Sequence, residues 1–427
     1  RTQAETFLVS IYQYGIHSYL PYGQVGGIAN REWGLLAGAT DEAETCAGWY
    51  FTQKWNNATI SPDNTDDIRW NERWIAIRKI SVFLDRIDDV PDIDPVYLKQ
   101  LKAEVKFIRA LNYFEMFKRY GGVPIIDHHI QLTDELKIPR STLEKVVNFI
   151  VKDCDEAAAD LPSTYPANLR GRATKGAALA LKARTLLYAA SPQFNTANPY
   201  LDFGTNNNLI CYGNYDVNRW QMAADAAKAV IDWAPGAGVY LITDKGETKN
   251  YKYVWEKYDN AEIILAEKSL GYVGKWSTPW SSISPPSIYP GNQGQSGITP
   301  TLNFVKMYEK ADGTPQIWDP DGGSNLQAKM EELDPRFHQT IAYNMSRWNH
   351  EFPEVQIYQG GRDANTCYGG FWLHKHYPEA IDNPTNWQYI PNSTLFGLNE
   401  AYLNYAEALN EAQGPVAAAY EAVNTIR

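Results

Sequence analysis

Apolar positions recur along the chain at spacings of three and four, and these recurrences predict helices. Leu101, Val105, Ile108 and Leu111 fall on one helical face, which Phe107, Phe114 and Phe117 widen. That helix starts near Leu98 and ends at Gly121 and Gly122, with Pro124 marking the break. A second stripe (Leu143, Val147, Ile150, Cys154 and Leu161) follows a capping box of Ser141 and Glu144 and stops at Pro162. A third helix, from about Thr174 to Ala190, is crowded with Ala177, Ala178, Ala180, Ala183, Ala189 and Ala190. Side chains this small let two helix backbones approach closely, as stacked helical repeats require. A fourth starts near Arg219 and places Trp220, Ala224, Ala227 and Ile231 together. Asn399 to Ala412 is also helical by pattern, with Gly414 as its stop and Pro415 in the first turn of the next helix. Two helices joined so tightly form an antiparallel hairpin.

The pattern therefore predicts a mainly α fold: a tetratricopeptide-like helical repeat scaffold (an α-α superhelix) with an irregular, loop-rich region. The scaffold is expected over 67–234 and 398–427, in a single unit covering 1–427. The spacing between units is irregular, without a strict period of about 34 residues. The loop-rich regions are 20–66 and 235–397, the second rich in Gly, Pro, Ser, Asn and Trp. Loops of this length inside a compact protein are usually functional or disordered. Their tryptophans argue against disorder.

Composition narrows the function. Lys plus Arg is 39 against 50 for Asp plus Glu, a net charge of -11, and no long basic run appears. Nucleic acid is not the expected partner, because neutralising phosphates needs a basic face. The 14 Trp, 28 Tyr and 14 Phe exceed what packing alone calls for and offer flat surfaces on which sugars stack. Cys46, Cys154, Cys211 and Cys367 are scattered and contain no CxxC pair, so a zinc cluster is not expected. No stretch approaches the roughly 18 apolar residues of a membrane span. The chain starts at Arg1, without Met or a signal peptide, and stops at Arg427 within a helical pattern. It reads as a fragment of a longer precursor, trimmed at both ends.

Six blocks of distinctive residues follow one another in order along the chain. Ala103-Glu104-Val105-Lys106-Phe107-Ile108-Arg109-Ala110 runs into Tyr120-Gly121-Gly122-Val123-Pro124. Next come Arg140-Ser141-Thr142 with Asp155-Glu156-Ala157 and Leu161-Pro162, then Gly171-Arg172-Ala173-Thr174-Lys175-Gly176-Ala177-Ala178 with Lys182-Ala183-Arg184. Trp220 with Ala223, Ala224, Ala227 and Lys228 is similar to a fourth block. Asp312-Gly313 and Asp334-Pro335-Arg336-Phe337 are similar to a fifth, and Glu400-Ala401-Tyr402-Leu403-Asn404-Tyr405-Ala406-Glu407-Ala408 to a sixth. In this order the six blocks resemble the SusD/RagB family of outer-membrane nutrient-binding lipoproteins. The chain departs from the family in having Gly397 where an Arg usually precedes the last block. It also lacks the lipid-carrying Cys and the segment that usually follows the Asn-Thr-Ile-Arg end.

The resemblance implies a lipoprotein on the extracellular face of a Bacteroidetes outer membrane. Its N-terminal lipid anchor would lie outside this chain. It implies a SusC-like TonB-dependent transporter as partner, which the binding protein covers as a lid. It implies oligosaccharide ligands, with peptides for some members, and supplies no catalytic residues. The expected protein is not an enzyme.

Candidate ligand-binding residues come from loop position and composition, because such a site needs aromatic faces and nearby polar groups. Trp49, Tyr50, Trp55 and Asn57 lie in the first loop region, and Trp276, Trp280 and Tyr289 in the second. The competing reading is that these aromatics pack loops onto the scaffold. Trp70, Trp74 and Trp220 adjoin helical patterns and belong to the core, whereas Trp348 and Trp372 fit either role. No cofactor and no metal site is expected. Asp63, Asp66 and Asp67, and Asp319 and Asp321 before Gly322 and Gly323, have the oxygen-rich character of a structural Ca²⁺ turn without a full ligand spacing. His128 with His129, and His374 with His376, supply too few ligands for zinc. The rival functions are a peptide or other nutrient binder on the same scaffold, a helical glycoside hydrolase using two carboxylates, and a structural helical adaptor.

Overall fold

The computed structural model describes residues 1–16, 36–45, 52–61, 63, 70–257, 259–267, 298–350, 352–364, 369–375 and 393–427. Its fold is mainly α. Helix α1 (Thr2–Gly15) packs on α3 (Trp70–Arg86) and on α4 (Pro95–Tyr120); α2 (Thr52–Asn56) is a short turn between them in sequence. Then α4 packs on α5 (Leu143–Asp160), α5 on α6 (Lys175–Ala190), and α6 on α7 (Asn218–Trp233). Each long helix thus lies against its successor, as in tetratricopeptide-like stacks.

The predicted apolar stripes are buried as patterned: Leu101, Val105, Ile108 and Leu111 on α4, and Leu143, Val147, Ile150, Cys154 and Leu161 at α5. The helix α4 begins three residues before Leu98, because Asp94 Oδ1 accepts from Val96 N and Tyr97 N, and Pro95 suits the first turn. It ends at Gly121, whose φ is 70° and whose added Cβ would lie 2.3 Å from the Leu209 carbonyl oxygen. The N-cap of α5 is Thr142 rather than Ser141: its hydroxyl accepts from Lys145 N at 3.3 Å. The cap is therefore one residue later than expected, and the Ser141–Glu144 capping box is not formed, because Lys145 stands three residues after Thr142.

After α7 the chain leaves the stack and rejoins it at the helix Leu398–Gln413, which packs directly against α7. The helix Ala417–Ile426 then packs back on that one. Pro415 lies outside it, at the centre of a tight turn closed by Val416 N donating to Gly414 O at 2.7 Å; the N-cap is Val416. The base of the inserted segment is closed by β2 (Ile263–Glu267) pairing antiparallel with β6 (Ser393–Gly397). Arg184 of α6 clamps this base to the stack. Its guanidinium pairs with Glu400, donates to the Leu395 carbonyl, and lies 4.1 Å from the Phe396 ring centre.

The strand β1 (Ala43–Thr45), which lies between α1 and α3 in sequence, pairs antiparallel with β3 (Ile298–Pro300) of the insertion, and within the insertion β4 (Ile341–Tyr343) pairs antiparallel with β5 (Phe371–Leu373). A second, smaller core gathers Val305, Met330, Leu333, Phe337, Ile341, Tyr343 and Phe371. The Asp-Pro-Arg signal is local: Asp334 caps the short helix Pro335–Thr340 through Arg336 N and holds the Arg336 guanidinium at 2.7 and 2.8 Å. Trp348 and Trp372, which fit either role by sequence, are fully buried, with ring centres 6.4 Å apart edge to face. They are core.

Candidate functional site

Two of the sequence-chosen aromatic and amide residues lie within the described chain. Trp55 stands on α2 with 46% of its surface exposed. The short helix below it is tied to β1: Asn56 Nδ2 donates to Gly38 O at 2.8 Å and Glu44 Oε2 at 2.6 Å, and the Thr45 and Thr52 hydroxyls meet at 3.1 Å. Trp55 is therefore displayed on an anchored element. Asn57 is committed locally, its Oδ1 accepting from Thr59 N at 3.2 Å and Thr59 Oγ1 at 2.6 Å. Only its amide N–H groups remain for a ligand.

Trp49, Tyr50, Trp276, Trp280 and Tyr289 lie outside the described residues. Described residues flanking them are strand-paired. Thr45, the last described residue before Trp49, is paired with Ile298, the first after Tyr289. Glu267, the last before Trp276, is paired with Ser393. Gly369 abuts the same β1–β3 ladder so closely that an added Cβ would lie 1.9 Å from Thr299 Cγ2.

A cavity of about 430 Å³ opens beside β2, between the α5–α6 connection and the end of α7. Ser163, Thr164, Tyr165 and Arg172 form one side, Trp233 another, and the β2 residues Ile263 to Ala266 a third. The indole of Trp233 is positioned by two features. Its Nε1–H donates to Ser163 Oγ at 3.3 Å. Its benzo ring covers Gly176, where an added Cβ would lie 2.1 Å from Cη2. Glycine in a helix costs about 0.5–1 kcal/mol relative to alanine. Here it makes room for the indole.

Behind the Arg172 wall lies a buried polar network centred on Glu104, which is fully buried on α4. Glu104 accepts from Arg172 Nε at 2.8 Å, Tyr12 Oη at 2.7 Å, Tyr165 Oη at 3.0 Å and Gln100 Nε2 at 3.2 Å. Burial works against the Arg172 charge, yet the Glu104 carboxylate raises its pKa above the ordinary value. Burial, then the charge of Glu104, pushes the Tyr165 phenol up as well. The network fixes the Arg172 guanidinium and the Tyr165 ring 5.7 Å apart, with Arg172 over the ring face. At the mouth, Arg170 is ion-paired with Asp259. Such a cavity offers an aromatic plane, hydroxyls and held N–H donors, which is binding chemistry.

Periodicity did not single out this cavity. Trp233 ends a helical stripe and reads as scaffold, and Arg172 and Tyr165 look like ordinary connection residues. The usable signal was Gly176, a helix-destabilising residue in the first turn of an alanine-rich helix.

Among the described residues, no group of three His, Cys, Asp or Glu side chains is arranged to hold a metal ion. Asp319 is engaged by Lys329 Nζ at 2.8 Å. His374 is buried, with Nε2–H donating to Trp348 O at 2.7 Å and Lys252 Nζ 3.0 Å away. Burial and then the lysine charge hold its pKa well below the ordinary imidazole value, so it is a neutral core residue. His376, Asp66 and Asp67 lie outside the described residues.

Comparison with known proteins gives matches at both ends of the chain. Residues 29–187 match a family model described as starch-binding associating with outer membrane, and residues 261–427 match the SusD family model. The SusD-like protein P25 of Formosa agariphila is 23% identical over 368 residues, which is 84% of this chain and 61% of that protein. The chain thus spans less than two thirds of that relative's length. A SusD-like protein structure from Bacteroides fragilis superposes with a TM-score of 0.78 at 26% identity, over 100% of this chain and 78% of that one. A laminarin binding SusD-like protein superposes with a TM-score of 0.67 at 21% identity, over 100% of this chain and 83% of that one, a likeness of fold.

Proposed function

The chain belongs to the SusD/RagB family, and from that premise we propose that it is a cell-surface glycan-binding protein. In this reading it captures oligosaccharides outside the outer membrane and hands them to a SusC-like TonB-dependent transporter, without cleaving a bond. A lipid anchor preceding this chain holds it at the membrane. The observation that carries the reading is the pairing of Thr45 with Ile298, which brings the residue before the Trp49 stretch beside the residue after the Trp276–Tyr289 stretch, next to anchored Trp55. Aromatic planes displayed on loops above a rigid scaffold suit sugar rings, whose C–H faces are apolar and whose hydroxyls need amides and carboxylates. The laminarin binding neighbour of the same fold lends support.

Calorimetry against a polysaccharide and peptide panel tests it. At least one glycan should bind; binding of peptides alone would overturn the glycan reading. Replacing Trp276 and Trp280 together by Ala should weaken glycan binding by about tenfold, the scale of lost aromatic contact. Unchanged affinity would remove these two residues from the site.

A further inference from the structure

We propose that the Trp233 cavity is a second, separate binding site, and that it takes one or two rings of a neutral sugar. The inference rests on the geometry of the scaffold and stands independently of the loop site.

The volume, about 430 Å³, lies toward the lower end of the roughly 300–1,000 Å³ of small-molecule pockets. It suits a mono- or disaccharide and is too small for a long chain. The charge balance excludes an ion as the preferred occupant. Arg170 is matched by Asp259 and Arg172 by Glu104, so neither arginine carries surplus charge to select an anion. What remains is an aromatic plane with directional neutral groups around it. Trp233 is held flat over Gly176, which no packing demand of α6 alone would explain. Ser163 uses an oxygen lone pair on the indole N–H, leaving its own O–H to donate. Thr164 is exposed and lines the cavity. Arg172 spends Nε on Glu104 and one more donor on Tyr97, out of five N–H groups. The arrangement is preorganised, because Glu104 and Gly176 hold both walls before any ligand enters.

The test uses the full chain carrying Trp276→Ala and Trp280→Ala, so that the loop site does not report. Saturation-transfer NMR and calorimetry are run with glucose, galactose, mannose, xylose, maltose and cellobiose. At least one of these should bind at a single site with a millimolar Kd. Thr164→Arg projects a long side chain from an exposed rim position without touching the core, and should weaken that binding by about tenfold or more. Trp233→Ala should do the same. If none of the six sugars binds the loop-variant chain, or if Thr164→Arg leaves affinity unchanged, the proposal is overturned. Either failure leaves the polysaccharide affinity of the wild-type loops untouched, so the two readings fail separately.

Discussion

At the scale of single residues, two positions act against their local preference. Gly176 lies in the first turn of α6, where Ala would ordinarily stabilise the helix by about 0.5–1 kcal/mol. Because a Cβ there would enter the Trp233 ring, Gly176→Ala should instead destabilise the protein by about 1–3 kcal/mol, the cost of overpacking. Urea denaturation reads the sign directly, and a gain in stability would mean the ring moves freely. His374 is the second case. Burial and then the charge of Lys252 hold its pKa well below the ordinary imidazole value. In the unfolded chain it takes up a proton as pH falls below about 6.5, while the folded chain does not. The unfolded state then binds more protons, so stability present at neutral pH is lost on acidification. The contribution approaches about 1.4 kcal/mol per pH unit below that point. Denaturation curves between pH 7.5 and pH 5, to use roughly the physiological span, should show this slope in wild type and a shallower one in His374→Phe.

At the scale of elements, α4 explains why the motif blocks carry charges. The helix is buried nearly all round, by α1, α3, α5 and α6, so its polar residues must be paired inside the stack. Glu104 meets Arg172, Arg109 meets Asp153 at 2.7 and 2.8 Å, and Glu115 meets Arg73, Lys118 and Arg119. The partners lie on α3, α4 and α5 and, for Arg172, on the α5–α6 connection, so segments that stand apart in sequence are two halves of contacts. They build the scaffold rather than a catalytic centre. Removing one partner leaves a buried charge unmatched. Asp153→Ala should therefore cost about 3–5 kcal/mol by chemical denaturation. The double variant Arg109→Met with Asp153→Leu should recover most of it, which a purely volumetric effect would not allow.

At the scale of the molecule, the scaffold is continuous although the chain is not. The helix Leu398–Gln413 takes its place beside α7 as if it followed directly, and the long insertion is held by the β2–β6 pair and the Arg184 clamp. The insertion carries its own small core around Phe337. The binding chemistry proposed for its loops would thereby be separated from the forces that stabilise the stack. The tryptophan variants proposed for the loop site should accordingly alter affinity while leaving the thermal unfolding of the helical stack in place.

Much of this architecture was legible in the chain itself. Three-and-four spacing marked the faces of α4, α5 and α7, because burial of one side of a helix imposes that period on the residues, and crowded alanines marked α6. Helix stops at Gly121 and Gly414 were legible because a positive φ selects glycine. Local pattern could not reveal α1 as part of the stack, since its meaning lies in Gly15 meeting Ile108 on α4. Nor could it rank the tryptophans. Trp348 and Trp372 fit either role by sequence and are core, while Trp233, not among the sequence candidates, lines a cavity. Burial, charge pairing and cavities depend on which distant segments meet, and those meetings are made by tertiary packing. The sequence by itself determined the helices and their buried faces; only the tertiary structure decided which aromatics remain available to a ligand.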